Sequence, residues 1–504
     1  MKNMNAFTIT QSIWGRLKQA AVLASALFFL GSCAKDLDVV NENAPDADGV
    51  LAATSTYPSL LSGAYNGFWN TAVSASPTFA LTNAEVITSG YGSWSSFDYY
   101  KLPRTAVPND LVDDVVLSPP AAAWYGFYSA IPTVNNIIKA IAIDNKKVML
   151  GNNDHTDAVL AHAYILQGIL YGHLSLFYDK AFLADESVDF QNFDFELKPY
   201  SEILTFALDR IDRGIALCAT SFTDPNPMMP GVTFNNNSPK AFASSMGARI
   251  LAMSARTPQQ AQQIDWNRVY AYASNGVTAD FGINWTEGWN GKVISRDFLA
   301  HLQLMAWDWI RPHQRVINMM APNHPNAVYP WPDGTATLGE VSSPDARLNT
   351  YFRYVGRHTG WNPNTRGFNM LSEYKYVRYE DEANNFSGFF PHILKAENDL
   401  LKAEAALRSG KPSTEVAALV NNTRVGAGNL NALTGGESAE TLLDAIFYER
   451  YLESDFVYPH LGYFDRRRKG ELRPGTLYHF PVPANELILH QIPFYTFGGV
   501  GNEM

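Results

Sequence analysis

The chain is 504 residues long, 46% apolar and only 17% charged, with a formal net charge of −11. An acidic surface argues against a nucleic-acid partner, since that binding rests on neutralising phosphates with Lys and Arg.

Residues 1–32 carry Lys2, Arg16 and Lys18 and no acid, then an apolar core from Ala20 to Leu30. That core has the length of a secretory h-region and falls short of the ~20 residues a membrane span needs. Gly31 and Ser32 leave room for a peptidase, and Cys33 stands where a lipoprotein signal places its acyl acceptor. The expectation is a signal over 1–32 that is removed, lipidation of Cys33, and a mature chain of about 470 residues with net charge −14. Residues 33–55 then form a flexible tether, rich in Asn, Asp and Pro from Leu37 to Asp48. With Cys33 acylated, Cys218 has no disulfide partner. At the end of the apolar run Ile215-Ala216-Leu217 it reads as a small buried hydrophobe.

No Gly/Ser or Pro linker divides the mature chain, so residues 56–504 are expected to form one body. Helical periodicity dominates it. Val159, Ala163, Leu166, Leu170, Leu174 and Phe177 lie on one helix face. Ser201 follows Pro199 and opens a helix with Leu204, Leu208, Ile211 and Ile215 as its stripe. Phe242, Met246, Ile250 and Met253 mark a third, and Asp265 caps a fourth carrying Trp266, Val269, Tyr270 and Ala273. Ala396, Leu400, Ala403 and Leu407 belong to a helix that stops at Gly410, and Pro412 opens the next, with Val416, Leu419 and Val420. Leu442, Ile446 and Leu452 lie on a last long helix. Consecutive amphipathic helices pack as antiparallel hairpins. The fold class expected is therefore mainly α, a tetratricopeptide-like α-α superhelix without a clean 34-residue period. Its helical pairs lie mainly in 56–70, 121–280 and 390–460.

Segments 71–120 and 281–390 differ. They gather aromatics, Pro and Gly without sustained period, as in Gly90-Tyr91-Gly92-Ser93-Trp94 and Tyr329-Pro330-Trp331-Pro332. Such loops are expected to form an aromatic-rich lobe, with little β, that carries the binding surface.

Several motifs follow in order. Tyr57 to Tyr65, Ala161-His162-Ala163-Tyr164 through Tyr178, and Lys240-Ala241 to Ala252 are helical segments. Asp345-Ala346-Arg347-Leu348 and Leu401-Lys402-Ala403-Glu404-Ala405 come next. A terminal set over 440–504 closes the series: Ile446-Phe447-Tyr448-Glu449-Arg450, Gly462-Tyr463-Phe464-Asp465-Arg466-Arg467-Arg468 and Pro481-Val482-Pro483-Ala484-Asn485-Glu486. In this order and spacing the chain resembles the SusD/RagB family of outer-membrane nutrient-binding lipoproteins over nearly all of its mature length. It departs from the family pattern at His162, where Arg is commoner, and at Glu453-Ser454-Asp455-Phe456 and Tyr463. The resemblance implies a non-catalytic, mostly helical protein that sits over a SusC-like TonB-dependent outer-membrane transporter. Such a protein captures a glycan or, in some members, a peptide. Lys35-Asp36 after the lipidated cysteine is similar to a surface-export signal, which implies an anchor in the outer leaflet of the outer membrane.

Sugar recognition uses flat aromatic faces against pyranose C–H groups, flanked by polar side chains. Tyr91 and Trp94 are the first candidates, in the loop after Asn83-Ala84-Glu85, where family members carry ligand contacts. Trp285, Trp289, Trp331 and Trp361 follow, while Trp124, Trp266, Trp307 and Trp309 lie in apolar runs and are assigned to the core. A lipid-anchored glycosidase would need two paired carboxylates, and Glu85, Asp98, Asp308 and Glu373 are available. The His residues show no metal-ligand spacing, and no metal or cofactor is expected. Arg466-Arg467-Arg468-Lys469 is expected to pair with Asp465, Glu449 or Glu453, or to face the transporter.

Overall fold

The computed structural model describes residues 53–72, 84–89, 102–107, 109, 119–188, 195–219, 222, 228–229, 232, 237–285, 310–329, 338–356, 372–385, 388–457 and 461–504. Helices dominate them. The long ones are α1 (Tyr57–Ala72), α2 (Pro119–Ile138), α3 (Thr156–Phe177), α4 (Tyr200–Leu217), α5 (Asn237–Met253) and α6 (Trp266–Ser274). A short α7 (Gln314–Met320) follows, then α8 (Lys395–Arg408), α9 (Ser413–Arg424), α10 (Ala439–Ser454) and α11 (Leu461–Lys469). The long helices pack in a continuous series, α1 on α2, α2 on α3, α3 on α4, α4 on α5, α5 on α6, α6 on α8, and α8 on α9 and α10. This is the expected succession of helical pairs.

The local signals act as read. The Asp265 carboxylate accepts from the Arg268 N–H at 3.0 Å and starts α6. Phe242, Met246, Ile250 and Met253 are all buried. Pro412 stands at the N-cap of α9, one step before its first turn. The stripe read for α3 proves too narrow: the helix is buried on nearly every side, Leu160 being the one residue from Ala158 to Phe177 outside the buried set. His162 and His173 on it are enclosed, the first beside the Tyr65 hydroxyl (3.2 Å) and the second beside the Ile169 carbonyl (2.8 Å). Trp124, Trp266 and Cys218 are buried as expected. Trp307 and Trp309 lie outside the described residues.

Glycines let α3 and α4 approach closely. A Cβ on Gly168 would stand 2.6 Å from the Ala207 carbonyl oxygen, and one on Gly214 would stand 2.9 Å from that of Ala161. Backbone cannot yield as a side-chain tip can, so Gly168→Ala is expected to destabilise the protein by about 1–3 kcal/mol despite its better helix propensity. A lower urea midpoint at unchanged slope would show it. An unchanged midpoint would mean that the two helices part without penalty.

Ten short strands pair two by two among the described residues: β1 (Ile87–Ser89), β2 (Met149–Leu150), β3 (Asn153–Asp154), β4 (Lys180–Phe182), β5 (Leu197–Pro199), β6 (Phe281–Trp285), β7 (Ile310–Pro312), β8 (Phe352–Tyr354), β9 (Tyr374–Tyr376) and β10 (Gly388–Ile393). The ladders are β1·β7, β2·β3, β4·β5, β6·β10 and β8·β9, all antiparallel. Two of them, β1·β7 and β6·β10, join segments far apart in sequence.

The basic run 466–469 corrects the reading made from sequence. Arg466, Arg467 and Arg468 are buried and cannot face a partner. Arg468 pairs with Asp465 as expected and also with Glu404, and Arg466 pairs with Asp455. Arg467 donates to the carbonyls of Leu176, Met253 and Tyr478. Glu449 and Glu453 are taken by Arg347 instead, which lies nearer because its own turn abuts α10.

Candidate functional site

The described framework gathers the ends of the segments whose sequences carry the candidate aromatics. In the β1·β7 ladder Ser89 lies opposite Ile310. The chain leaving for 90–101 therefore starts beside the point where 286–309 returns. Trp285, at the other end of 286–309, closes β6 opposite Gly388 and is described by its backbone alone. Thr88 faces Arg311 in the same ladder, and the Arg311 Nη1 donates to the carbonyls of Gly356 (2.7 Å) and Ser372 (3.3 Å). One guanidinium thus ties both ends of 357–371 to β7. The Ser372 N–H adds a bond to the Pro312 carbonyl at 3.1 Å.

Glu373 holds the next segment. Its carboxylate accepts from the backbone N–H groups of Leu338 (3.2 Å) and Gly339 (3.0 Å) and from the Tyr354 hydroxyl (3.1 Å), which fixes the return of 330–337. The departure of that segment is fixed by Tyr329, whose hydroxyl donates to Glu85 and accepts from the Arg473 Nη2 at 3.1 Å. The return of 90–101 rests on the C-terminal tail. Ala106 bridges Gly498, the Val107 N–H donates to the Phe497 carbonyl (3.2 Å), and Thr496 Oγ1 donates to the Val107 carbonyl (2.9 Å).

Glu85 sits at the centre of this framework. It is 3% exposed, and its φ of +58° lies in the left-handed region that costs a residue with a Cβ about 1 kcal/mol. Arg473 donates to its Oε1, and Arg315 Nη1 stands 3.6 Å from its Oε2 while reaching Glu471 at 3.4 Å. Burial by itself would raise the Glu85 carboxyl, but His313, Tyr329 and Arg473 hold it down at about 2. Burial in turn holds His313 down at about 3, so at neutral pH that ring is uncharged. The Tyr329 hydroxyl and the Arg473 guanidinium then keep Glu85 ionised.

Tyr91, Trp94, Trp289, Trp331, Trp361 and Cys33 lie outside the described residues, as do Asp98 and Asp308. Glu85 and Glu373 are both committed to protein partners. In the sequence Glu373 stands out only as a spare carboxylate and Glu85 as that and as the end of Asn83-Ala84-Glu85, while nothing there singles out Arg311, Arg315 or Arg473. Glu85 and Arg473 stand 388 residues apart, and no local pattern announces such a pair. Among the described residues no group of three or more His, Cys, Asp or Glu is placed to hold a metal ion.

No protein-family model matches the chain, and no curated protein does. Solved structures match it over most of their length. A SusD superfamily protein from Parabacteroides distasonis is similar over 86% of this chain and 97% of its own, with a TM-score of 0.60 at 14% identity. A SusD-like protein from Bacteroides fragilis is similar over 88% and 97%, with a TM-score of 0.59 at 14% identity. A SusD-like carbohydrate-binding protein, also from Bacteroides fragilis, gives 82% and 86%, with a TM-score of 0.55 at 15% identity. The helical series, the small ladders and these likenesses agree: the protein has the SusD-like fold.

Proposed function

We propose that this protein is a non-catalytic, surface-exposed lipoprotein. It captures a glycan and delivers it to a SusC-like TonB-dependent transporter in the outer membrane, to which it is anchored through Cys33. The observation that carries the reading is the convergence of loop ends: one framework of β1, β7, β8 and β9, with Glu85, Arg311 and Glu373, collects segments 90–101, 286–309, 330–337 and 357–371. Those four segments bring Tyr91, Trp94, Trp289, Trp331 and Trp361. Aromatic-rich segments whose described ends meet on one framework suit stacking on sugar rings. Two observations support the anchor and the address: the lipobox ending in Cys33, and Lys35-Asp36 after it. A neighbour of the same fold is described as carbohydrate-binding. Glu85, a carboxylate close to Tyr91 and Trp94 in sequence, is buried and taken by Tyr329, Arg473 and Arg315, which suits a structural role better than one in hydrolysis.

The test is native affinity electrophoresis of the mature chain through gels containing amylopectin, xylan, glucomannan or polygalacturonate, followed by calorimetry with matching oligosaccharides. Retention by at least one polysaccharide without release of reducing ends is expected. Trp94→Ala should weaken that binding about tenfold or more, since stacked tryptophans concentrate binding energy. Retention by none of them, together with binding of peptides, would overturn the glycan reading in favour of a RagB-like peptide binder.

A further inference from the structure

We infer that Glu85 is a positioning residue of the binding face: its ionised carboxylate fixes the loop ends without touching ligand. The inference rests on the glycan-capture reading for what the loops do, and on geometry alone for what Glu85 holds.

Three features set this residue apart. Its backbone is strained, and a non-glycine residue persists at positive φ only where its surroundings over-determine it. Its carboxylate is nearly inaccessible, so it serves other side chains rather than a ligand. Those side chains come from two stretches far apart in sequence. Arg315 on α7 and Tyr329 at the end of 310–329, just before 330–337, belong to one, and Arg473 after α11 to the other. The next residue, Val86, accepts from the His313 N–H at 2.8 Å and so leads straight into the β1·β7 ladder. One negative charge thus ties the start of β1, the end of β7 and the departure of 330–337 to the C-terminal segment. Arg104, buried on the stretch that receives 90–101, also lies in its field: burial lowers its guanidinium to about 10 and Glu85 acts against that.

A neutral isostere would not serve. Glutamine offers one acceptor oxygen in place of two and turns N–H groups toward a guanidinium. It would leave Arg104, Arg315 and Arg473 clustered with less negative charge among them, and charged groups in partial burial lean strongly on such compensation.

The experiment compares the mature wild-type chain with Glu85→Gln, Tyr329→Phe and the double variant Glu85→Gln/Arg473→Gln. Two readouts are taken: amide hydrogen exchange, and retention in whichever of the four polysaccharide gels slows the wild type. In Glu85→Gln, exchange at Val86–Ser89, at His313 and at Asn326–Ala327 beside Tyr329 should rise at least tenfold, with α3 unchanged. Retention should weaken at least tenfold in protein that still melts cooperatively. Tyr329→Phe, which removes one hydroxyl and keeps the ring, should raise exchange at Asn326–Ala327 alone, and it stands in if Glu85→Gln does not fold. The double variant should recover part of the retention, because it removes the uncompensated cation along with the acid. Raised exchange with wild-type retention would reduce Glu85 to a structural residue. Unchanged exchange would show that it fixes nothing. Should no polysaccharide slow the wild type, the glycan reading fails by itself, while the exchange data still decide what Glu85 holds.

Discussion

Glu404→Gln is expected to lower stability at neutral pH by about 3–5 kcal/mol, a large share of what a folded protein has in hand. Glu404 has no solvent exposure and lies on α8 among three arginines. Arg468 grips it with two parallel bonds of 2.7 and 2.6 Å, Arg450 donates at 2.9 Å and Arg408 at 2.8 Å. Asp465 is the second acid of the same cluster, accepting from Arg450 and Arg468. Glutamine would leave two buried guanidiniums sharing one carboxylate and would aim its own N–H groups at one of them. The pH dependence follows from the direction of the shift. Burial raises the Glu404 carboxyl, and Arg468 and Arg450 more than reverse it, holding the group far below the usual carboxylate range. A depressed folded pKa gives stability that is present above the unfolded value, near 4.5, and is lost as pH falls below it. The difference in melting temperature between wild type and variant should be largest at pH 7 and narrow steadily from pH 4.5 downward. Equal melting at pH 7 would show that the cluster contributes nothing net, as some buried ion pairs do.

The same cluster shows what the chain discloses in advance and what it hides. Leu401-Lys402-Ala403-Glu404-Ala405, Glu449-Arg450 and Asp465-Arg466-Arg467-Arg468 are legible as motifs in a fixed order, and their helices are legible from apolar spacing. That three of these stretches meet is not legible. Glu404 and Arg468 are 64 residues apart, and pairing at that distance depends on how α8, α10 and α11 pack. The charged run thus leaves pairing with a nearby acid and facing a partner both open, since isolated charges belong in water and only their partners make burial tolerable. Helix α3 illustrates the complementary gap. Its spacing marks one apolar face, yet a helix wrapped by α2, α4 and α5 needs every face apolar or small. Gly168, Gly172 and Ser175 supply that on the remaining sides. In the candidate site the aromatic segments stand out by composition. The residues that gather their ends do not, because an ion pair such as Glu85 with Arg473 has no period and no spacing to read.

Arg347→Gln should produce a protein that gains more stability on mild acidification than the wild type does. Arg347 is fully buried beside α10 and serves three acids. It meets Asp345 through Nε (3.0 Å) and Nη2 (2.7 Å), and its Nη1 reaches Glu449 (2.6 Å) and Glu453 (3.1 Å). In the wild type burial works to raise Asp345, but Arg347 wins and holds that carboxyl below its usual value. Asp345 thus adds stability that is present above about pH 4 and lost in acid. At Glu449 burial prevails over Arg347 and keeps the carboxyl raised, so the guanidinium already works against a strong desolvation cost. With glutamine in its place Asp345 keeps only the Tyr448 hydroxyl and a backbone N–H, Glu453 keeps Arg378 at 3.0 Å, and Glu449 keeps Arg424 at 3.7 Å. Glu449 then stays raised and Asp345 joins it, because burial is no longer opposed by the guanidinium. An acid with a raised folded pKa binds its proton better when folded, so stability falls as pH climbs through that window. At pH 7 the variant should stand about 3–5 kcal/mol below wild type. Between pH 7 and 5 its urea midpoint should rise as protons replace the missing guanidinium. A midpoint that merely parallels the wild type over that interval would mean that water or Arg378 and Arg424 take over the three acids, and that Arg347 is dispensable to the fold.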